Sequence, residues 1–194
     1  MRVAPIAPDA LSPEQRAVHD DMAREIAGHL KGFVSTRADG ALVGPFAPML
    51  RFPQFGQPAW TFTKALIENS KLPKAAHEVA ILVTGAGFDS RYELYAHERV
   101  AGQAGLSEAK VATIAAGQRP PDLSVEEAAA YDVAAALVAG KQLPESTWRR
   151  AREAFGEEQA GELVFLIGGY CLVSVLLNAF DVSVPGREEG SPQG

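Results

Sequence analysis

Ser90, Glu93 and His97 stand three and four residues apart, a spacing that places them within roughly a 60° arc of one α-helix. Glu93 and His97, at i and i+4, can touch directly. A carboxylate against an imidazole favours the charged form of both, so the pair can exchange a proton near neutral pH. Glu78 lies twelve residues before Ser90, on the preceding helix, and the turn between them is short enough for antiparallel packing. It can therefore face the same stripe. Two acids and an imidazole on one cavity wall are the equipment of general acid–base catalysis.

Each of these residues also has a plainer reading. His97 could be an interior histidine satisfied by Glu93, and Glu78 and Glu93 could belong to an ion-pair network with Arg91, Lys74 or Arg99. Ser90, after Asp89 at a helix start, reads as an N-cap before it reads as a nucleophile. His77 is expected at the surface or an interface, and His19 and His29 are expected to be exposed. His77, Glu78, Glu93 and His97 offer nitrogen and oxygen to a metal. Neighbouring helical residues diverge by about 100°, however, so His77 and Glu78 rarely share one ion. No metal and no cofactor is expected.

The elements that must position these groups are helical. Ser12-Pro13-Glu14-Gln15 starts a helix to residue 29, with Ser at N-cap and Pro at N1, and Val18, Met22 and Ile26 share one face. Helical spacing returns over 54–68, with Trp60 and Phe62 taken as core. The spacing then predicts helices over 74–86 and 91–104, a short helix capped by Ser107 and ending at 116, and one from the capping box at Ser124 to 139. The segments 144–155 and 157–180 complete an all-α domain of about eight helices with no convincing strand. Residues 31–53 form a long connection rich in Gly and Pro. It carries Phe33, Val34, Leu42, Val43, Phe46, Met49, Leu50 and Phe52, too many apolar groups to leave in water. It is expected to cover a pocket. One domain spans 1–186, and 187–194 read as a disordered tail. A faint internal echo relates Leu72-Pro73 and Glu78 to Leu143-Pro144 and Glu162, with Gly85 and Gly169 each seven residues after the acid.

Bulk properties narrow the function. A formal charge of −6 and scattered basic residues exclude the basic footprint of a nucleic-acid binder. Cys171 is the one cysteine, so neither an intrachain disulfide nor a CxxC dithiol can form. Residues 1–12 hold no apolar run of signal-peptide length, so a cytoplasmic protein is expected. Residues 163–180 carry no charge, but Gly168, Gly169, Ser174 and Asn178 interrupt them and acids flank them. A helix buried on all sides, inside the domain or at a subunit contact, is expected rather than a membrane span; Phe165 and Tyr170 read as core, with Tyr170 a candidate for the far wall of the pocket.

Glu78, Ser90, Glu93 and His97 resemble the active-site signature of the AhpD-like alkylhydroperoxidases, in which two cysteines take the places of Ser90 and Glu93. The surrounding residues fit as well: Leu72-Pro73, His77-Glu78-Val79-Ala80-Ile81-Leu82-Val83, Tyr92-Glu93-Leu94-Tyr95-Ala96-His97 and Ala104-Gly105-Leu106-Ser107. The resemblance extends through Gly44-Pro45-Phe46-Ala47-Pro48-Met49-Leu50 and residues 163–185. Lacking both cysteines, the chain looks like the carboxymuconolactone decarboxylase subgroup, with Leu94 where that subgroup commonly has Trp.

The resemblance implies an all-α homotrimer or homohexamer with pockets near subunit contacts. It also implies a cofactor-free lyase of aromatic catabolism that decarboxylates a lactone acid or related carbonyl acid. Glu78, Glu93 and His97 would be catalytic, with His97 the proton donor, Glu93 setting its tautomer and Glu78 completing the relay. Ser90, Arg91, Tyr92, Tyr95, Pro48, Met49 and Arg51 are candidates for substrate binding, the two arginines as carboxylate clamps. A peroxidase or antioxidant member without the dithiol, and a non-catalytic oligomeric binding protein, are the alternatives. Peroxide reduction needs a thiolate and a resolving thiol, which these positions do not supply.

Overall fold

A computed structural model describes residues 1–29 and 31–186; the expected disordered tail, 187–194, lies outside the described residues. After a 3-10 turn at Pro8–Ala10 come α1 (Pro13–His29), α2 (Phe46–Arg51), α3 (Pro53–Asn69) and α4 (Lys74–Gly87). They are followed by α5 (Arg91–Gln103), α6 (Glu108–Ala115), α7 (Val125–Val138) and α8 (Glu145–Ala179). Among the described residues there is no strand, only an isolated bridge between Thr36 and Leu42.

Local chemistry explains most boundaries. Ser12 and Gln15 satisfy each other's backbone N–H groups at 3.2 and 3.0 Å at the start of α1, and Ser124 and Glu127 do the same for α7. The Ser107 hydroxyl accepts from the Lys110 N–H to cap α6. Two expectations change. The long connection 31–53 contains α2 and ends as α3 begins. Pro48 sits in the first turn of α2, where its missing N–H would have had no partner anyway. The two last predicted helices run on as α8, bent where Gly156 takes φ 79° and ψ 171°, a backbone open to glycine and costly for other residues.

Helix α4 is the centre of the molecule. Val79, Ala80, Ile81 and Leu82 are all fully buried, packed among α5, α6, α7 and α8. Leu163, Leu166 and Ile167 of α8 join them from one side and Val133 of α7 from another. A second apolar body joins Val18, Met22 and Ile26 of α1 to Leu42, Phe46, Met49, Leu50 and Trp60. The connection between α1 and α3 thus packs inward, as its composition predicts.

Helix α8 is enclosed by the rest of the chain on one side only. One face packs inward through Leu163, Leu166, Ile167, Tyr170, Val173 and Leu177, but Phe165 is 66% exposed, and Leu172 and Val175 face outward with it. By length and composition α8 could cross a membrane, yet half of its most apolar stretch is buried in the helical core. His19 is also not exposed as expected: its ring is buried, with Nδ1 3.1 Å from Asp20 and Nε2 3.4 Å from the Gly40 carbonyl. His29 is exposed and lies 2.9 Å from Glu25. Glu162, the echo of Glu78, accepts hydrogen bonds from the Lys71 and Leu72 N–H groups and the Ser70 hydroxyl, securing the approach to α4.

Helices α2 and α3 meet at Gly56, where a Cβ would lie 1.9 Å from the Met49 carbonyl oxygen. Backbone cannot yield as a side-chain tip can. Gly56→Ala is therefore expected to destabilise the fold by about 1–3 kcal/mol or more; an unchanged urea midpoint would show that this close approach is not required.

Candidate active site

Helices α4 and α5 bring the three predicted catalytic side chains together. Gly85 allows the close packing, since a Cβ there would meet the Glu93 side chain at 3.3 Å. His97 lies between the two acids: Nδ1 is 2.8 Å from Oε2 of Glu78, and Nε2 is 3.2 Å from Oε1 of Glu93. The Glu93 oxygen sits close to Nε2 but off its N–H axis, and it makes no hydrogen bond among the described residues. It is thus Glu78, not Glu93 as expected, that binds and orients the ring. His77, expected at the surface or an interface, is part-buried and brings its Nδ1 within 3.2 Å of Oε1 of Glu78. Glu78 therefore holds one imidazole with each oxygen.

Burial and pairing separate the two acids. Burial alone raises Glu78, but the His97 charge and hydrogen bonds from His77 and His97 outweigh it and hold its pKa at about 2. Glu93 is more deeply enclosed; burial, reinforced by the Glu78 charge and only partly offset by His97, lifts it to about 7. For His97, burial opposes the charge, but the two carboxylates prevail and raise it to about 8. Near neutrality the site holds an ionised Glu78, an imidazolium, and a Glu93 poised between its acid and its base. Two carboxyl groups driven apart in this way divide into a fixed anion and a titrating acid.

The imidazole stands between two cavities. On the Glu93 side is a narrow chamber of about 50 Å³, walled by Phe46, Met49, Trp60, Tyr92, Tyr170 and neighbours. On the Glu78 side is a groove of about 380 Å³ that includes Lys74, His77 and Gln103. His97, Phe33, Ile67 and Tyr170 border both. Tyr170 meets the His97 ring edge-on at 5.2 Å, and burial keeps its hydroxyl well above the usual range, hence protonated. Trp60 is fixed by its Nε1–H donating to Asp21 at 2.7 Å.

The candidate substrate-binding residues divide. Met49 and Tyr92 line the chamber. The Tyr92 hydroxyl donates to the Val34 carbonyl at 2.7 Å, and the Tyr95 hydroxyl accepts from the Val34 N–H at 3.1 Å. Both tyrosines therefore anchor the covering segment beside Phe33. Gly44, at φ 69°, presses against the Tyr92 ring so closely that a Cβ would lie 2.5 Å from it.

The other candidates lie elsewhere. Pro48 faces an outer apolar groove rather than the chamber. Arg51 is exposed and donates to the Ala4 carbonyl, and Arg91 pairs with Asp181 at the surface, so neither clamps a ligand beside His97. Ser90 is fully buried at the start of α5, but its hydroxyl caps nothing and has no partner among the described residues. The N-cap expectation is met in position and not in bonding. Among the described residues, no three His, Cys, Asp or Glu side chains are grouped to hold a metal ion.

Sequence reasoning missed His77 as a partner of Glu78 and Trp60 as pocket wall, while the alternative reading of Tyr170 as pocket wall agrees with the chamber lining. Trp60, Thr63 and Ile67, spaced at i, i+3 and i+7 on α3, form the readable trace of that wall.

Comparison with solved structures agrees with this architecture. An uncharacterised peroxidase-related protein from Ralstonia eutropha, described as an alkylhydroperoxidase AhpD core, superposes with a TM-score of 0.74 at 15% identity. The match covers 95% of this chain and 92% of that one. The fold is the AhpD fold. The debrominase Bmp8, as a cysteine-to-alanine variant in complex with 2,3,4-tribromopyrrole, has the same AhpD-like arrangement: TM-score 0.72, 15% identity, 96% and 92% coverage. A putative antioxidant defence protein AhpD from Agrobacterium tumefaciens matches at TM-score 0.62 and 14% identity, covering 70% and 93%. No protein-family model matches the sequence, and no curated protein does.

The shifted acid makes a prediction about stability. Glu93 titrates at about 7 in the fold, against 4.5 for an unperturbed Glu. The folded state therefore binds its proton more tightly than the unfolded state does, and stability falls as pH rises from 4.5 through 7. His97, raised from 6.5 to about 8, adds stability below 6.5 that is lost as pH rises through 8. Glu93→Gln is expected to remove the first of these losses, flattening thermal stability between pH 4.5 and 7. An unchanged profile in calorimetry would refute the assignment of Glu93.

Proposed function

We propose that this chain is a cofactor-free acid–base enzyme, most specifically a carboxy-lyase acting on a lactone acid or related carbonyl acid. The observation that carries this reading is the His97 ring set between two buried carboxyl groups, 2.8 Å from Glu78 and 3.2 Å from Glu93, at the border of one apolar chamber. In such a reaction the bond from the substrate to its carboxylate carbon breaks and CO2 leaves. The electron pair enters the conjugated carbonyl to give a dienolate, and a proton from the enzyme forms the new C–H bond. Trp60, Phe46 and Met49 keep water away, which favours loss of the charged group. His97 and Glu93 are the proton donors, and Glu78 fixes the ring so that Nε2 faces the chamber. A flat brominated pyrrole bound by one neighbour of the same fold supports a small planar substrate here.

The peroxidase names among the neighbours do not transfer in mechanism. Glu93 and Ser90 stand where the resemblance calls for thiols, and Cys171 lies on α8 with burial raising its thiol pKa. A cytoplasmic setting suits a chain with one free thiol. A second reading, a non-catalytic oligomeric binding protein, draws support from the narrowness of the chamber between Phe46, Met49 and Tyr170. Turnover decides between the two.

We also infer that the chain assembles as a homotrimer or homohexamer. Phe165, Leu172 and Val175 of α8 stand exposed. Near Leu172, an apolar groove of about 340 Å³ runs along Phe52, Phe55, Leu176 and Phe180. Contiguous apolar surface of this kind marks an association site.

Screening lactone acids of aromatic catabolism for CO2 release should find a substrate. His97→Gln should then lower kcat at least about 100-fold while the melting curve stays cooperative; full activity would overturn the assignment. Because the donors must carry their protons, kcat/KM should decline as pH rises through about 7 and 8; a rate that climbs over that range would contradict the donor roles. Light scattering should report three or six copies, reduced by Phe165→Asp, whereas a wild-type monomer would remove the assembly proposal.

A further inference from the structure

We propose that the groove outside His97 is an anion subsite that holds the carboxylate end of a small organic acid through Lys74, beside His77. The inference rests on the acid–base reading above and adds the recognition that reading lacks. The chamber's lining contains no cation other than His97, and both arginines that sequence spacing suggested are engaged elsewhere. Positive charge gathers instead on the opposite side of the ring.

Lys74 and His77 both line the groove, and their i, i+3 relation on α4 sets them on one face. Lys64, Lys71 and Lys110 are each held by a carboxylate within 2.8 Å. Lys74 pairs with none among the described residues, so its ammonium is free for a ligand. The nearest competing anion is already occupied, since His97 and His77 hold the two oxygens of Glu78 at 2.8 and 3.2 Å. Gln103 adds an uncharged donor to the same wall, and His29, which also borders the groove, is paired with Glu25.

The first turn of α4 contains no acidic side chain and its N-cap residue, Pro73, offers no side-chain cap. The helix end thus adds to the positive field. At about 380 Å³ the groove has room for the anionic end of a small organic acid, and the chamber of about 50 Å³ takes the part that reaches past the seam. His97, Phe33 and Tyr170 form the seam between them. A ligand anchored at Lys74 therefore lies along the imidazole that is to act on it.

The test uses the full chain and two probes of the same shape, benzoate and neutral benzamide, with affinity measured by titration calorimetry. Histidine ring signals would be followed by NMR. Benzoate should bind more tightly than benzamide and shift the His77 and His97 signals. Lys74→Gln should weaken benzoate about tenfold or more, as expected for loss of a charge-assisted contact. Lys74→Arg should retain the affinity, which separates charge from fold integrity. Equal binding of the two probes, binding of neither, or unaltered benzoate affinity in Lys74→Gln would overturn the proposal. Glu93→Gln lies on the other side of the ring and should bind benzoate like the wild type. Failure of the subsite is thus distinguishable from failure of the acid–base reading, which turnover by that same variant tests.

Discussion

The site is built on one imidazole shared by two buried acids. A carboxylate removed from water loses several kcal/mol of hydration unless a counter-charge repays it, and here one cation faces two candidates for the negative charge. The geometry resolves the competition. Glu78 has a ring nitrogen at each oxygen and stays ionised. Glu93 has only an oblique contact with Nε2 and keeps its proton up to about neutrality. Had the angles been exchanged, the titrating group would face the groove and the permanent anion would face the chamber.

That asymmetry needs a rigid setting. Glu78 projects from the most deeply buried helix of the molecule, so its position is fixed by packing on α5, α6, α7 and α8. His97 and Glu93 sit one turn apart on α5, and Gly85 allows α5 to approach α4 closely enough for contact. The third wall comes from a different apolar body, α1 to α3, with the segment ahead of α2 tied down by Tyr92 and Tyr95 at Val34. The reactive groups therefore belong to one packed unit and the cover to another.

Much of this could be read from residue order. Three-and-four spacing predicted the contact of Glu93 with His97, and a short turn predicted that Glu78 would join them. Helix starts at Ser12, Ser107 and Ser124 followed from local hydrogen bonding that depends on nearby residues alone. What could not be read depended on tertiary direction. Which acid takes which ring nitrogen is set by the side-chain angles at an α4–α5 contact, and i, i+4 spacing favoured the wrong one. Arg51 and Arg91 were near in sequence but sit on faces turned from the pocket. Ser90 occupies a capping position without capping, because its buried side chain does not reach the backbone N–H groups. His19 looked like a surface residue by type, yet the segment around Gly40 folds over it. Phe165 looked like core by type, and the outer face of α8 leaves it in solvent.

Met49 has a property no other predicted site residue has: it is wall to the chamber and to the outer apolar groove at once. A flexible thioether side chain between two cavities can repack toward either. Should a second copy of the chain fill the outer groove, assembly and ligand uptake become linked quantities, each changing the other's affinity by the same factor. Dilution of the protein and saturation of the chamber would then be two ways of turning one equilibrium.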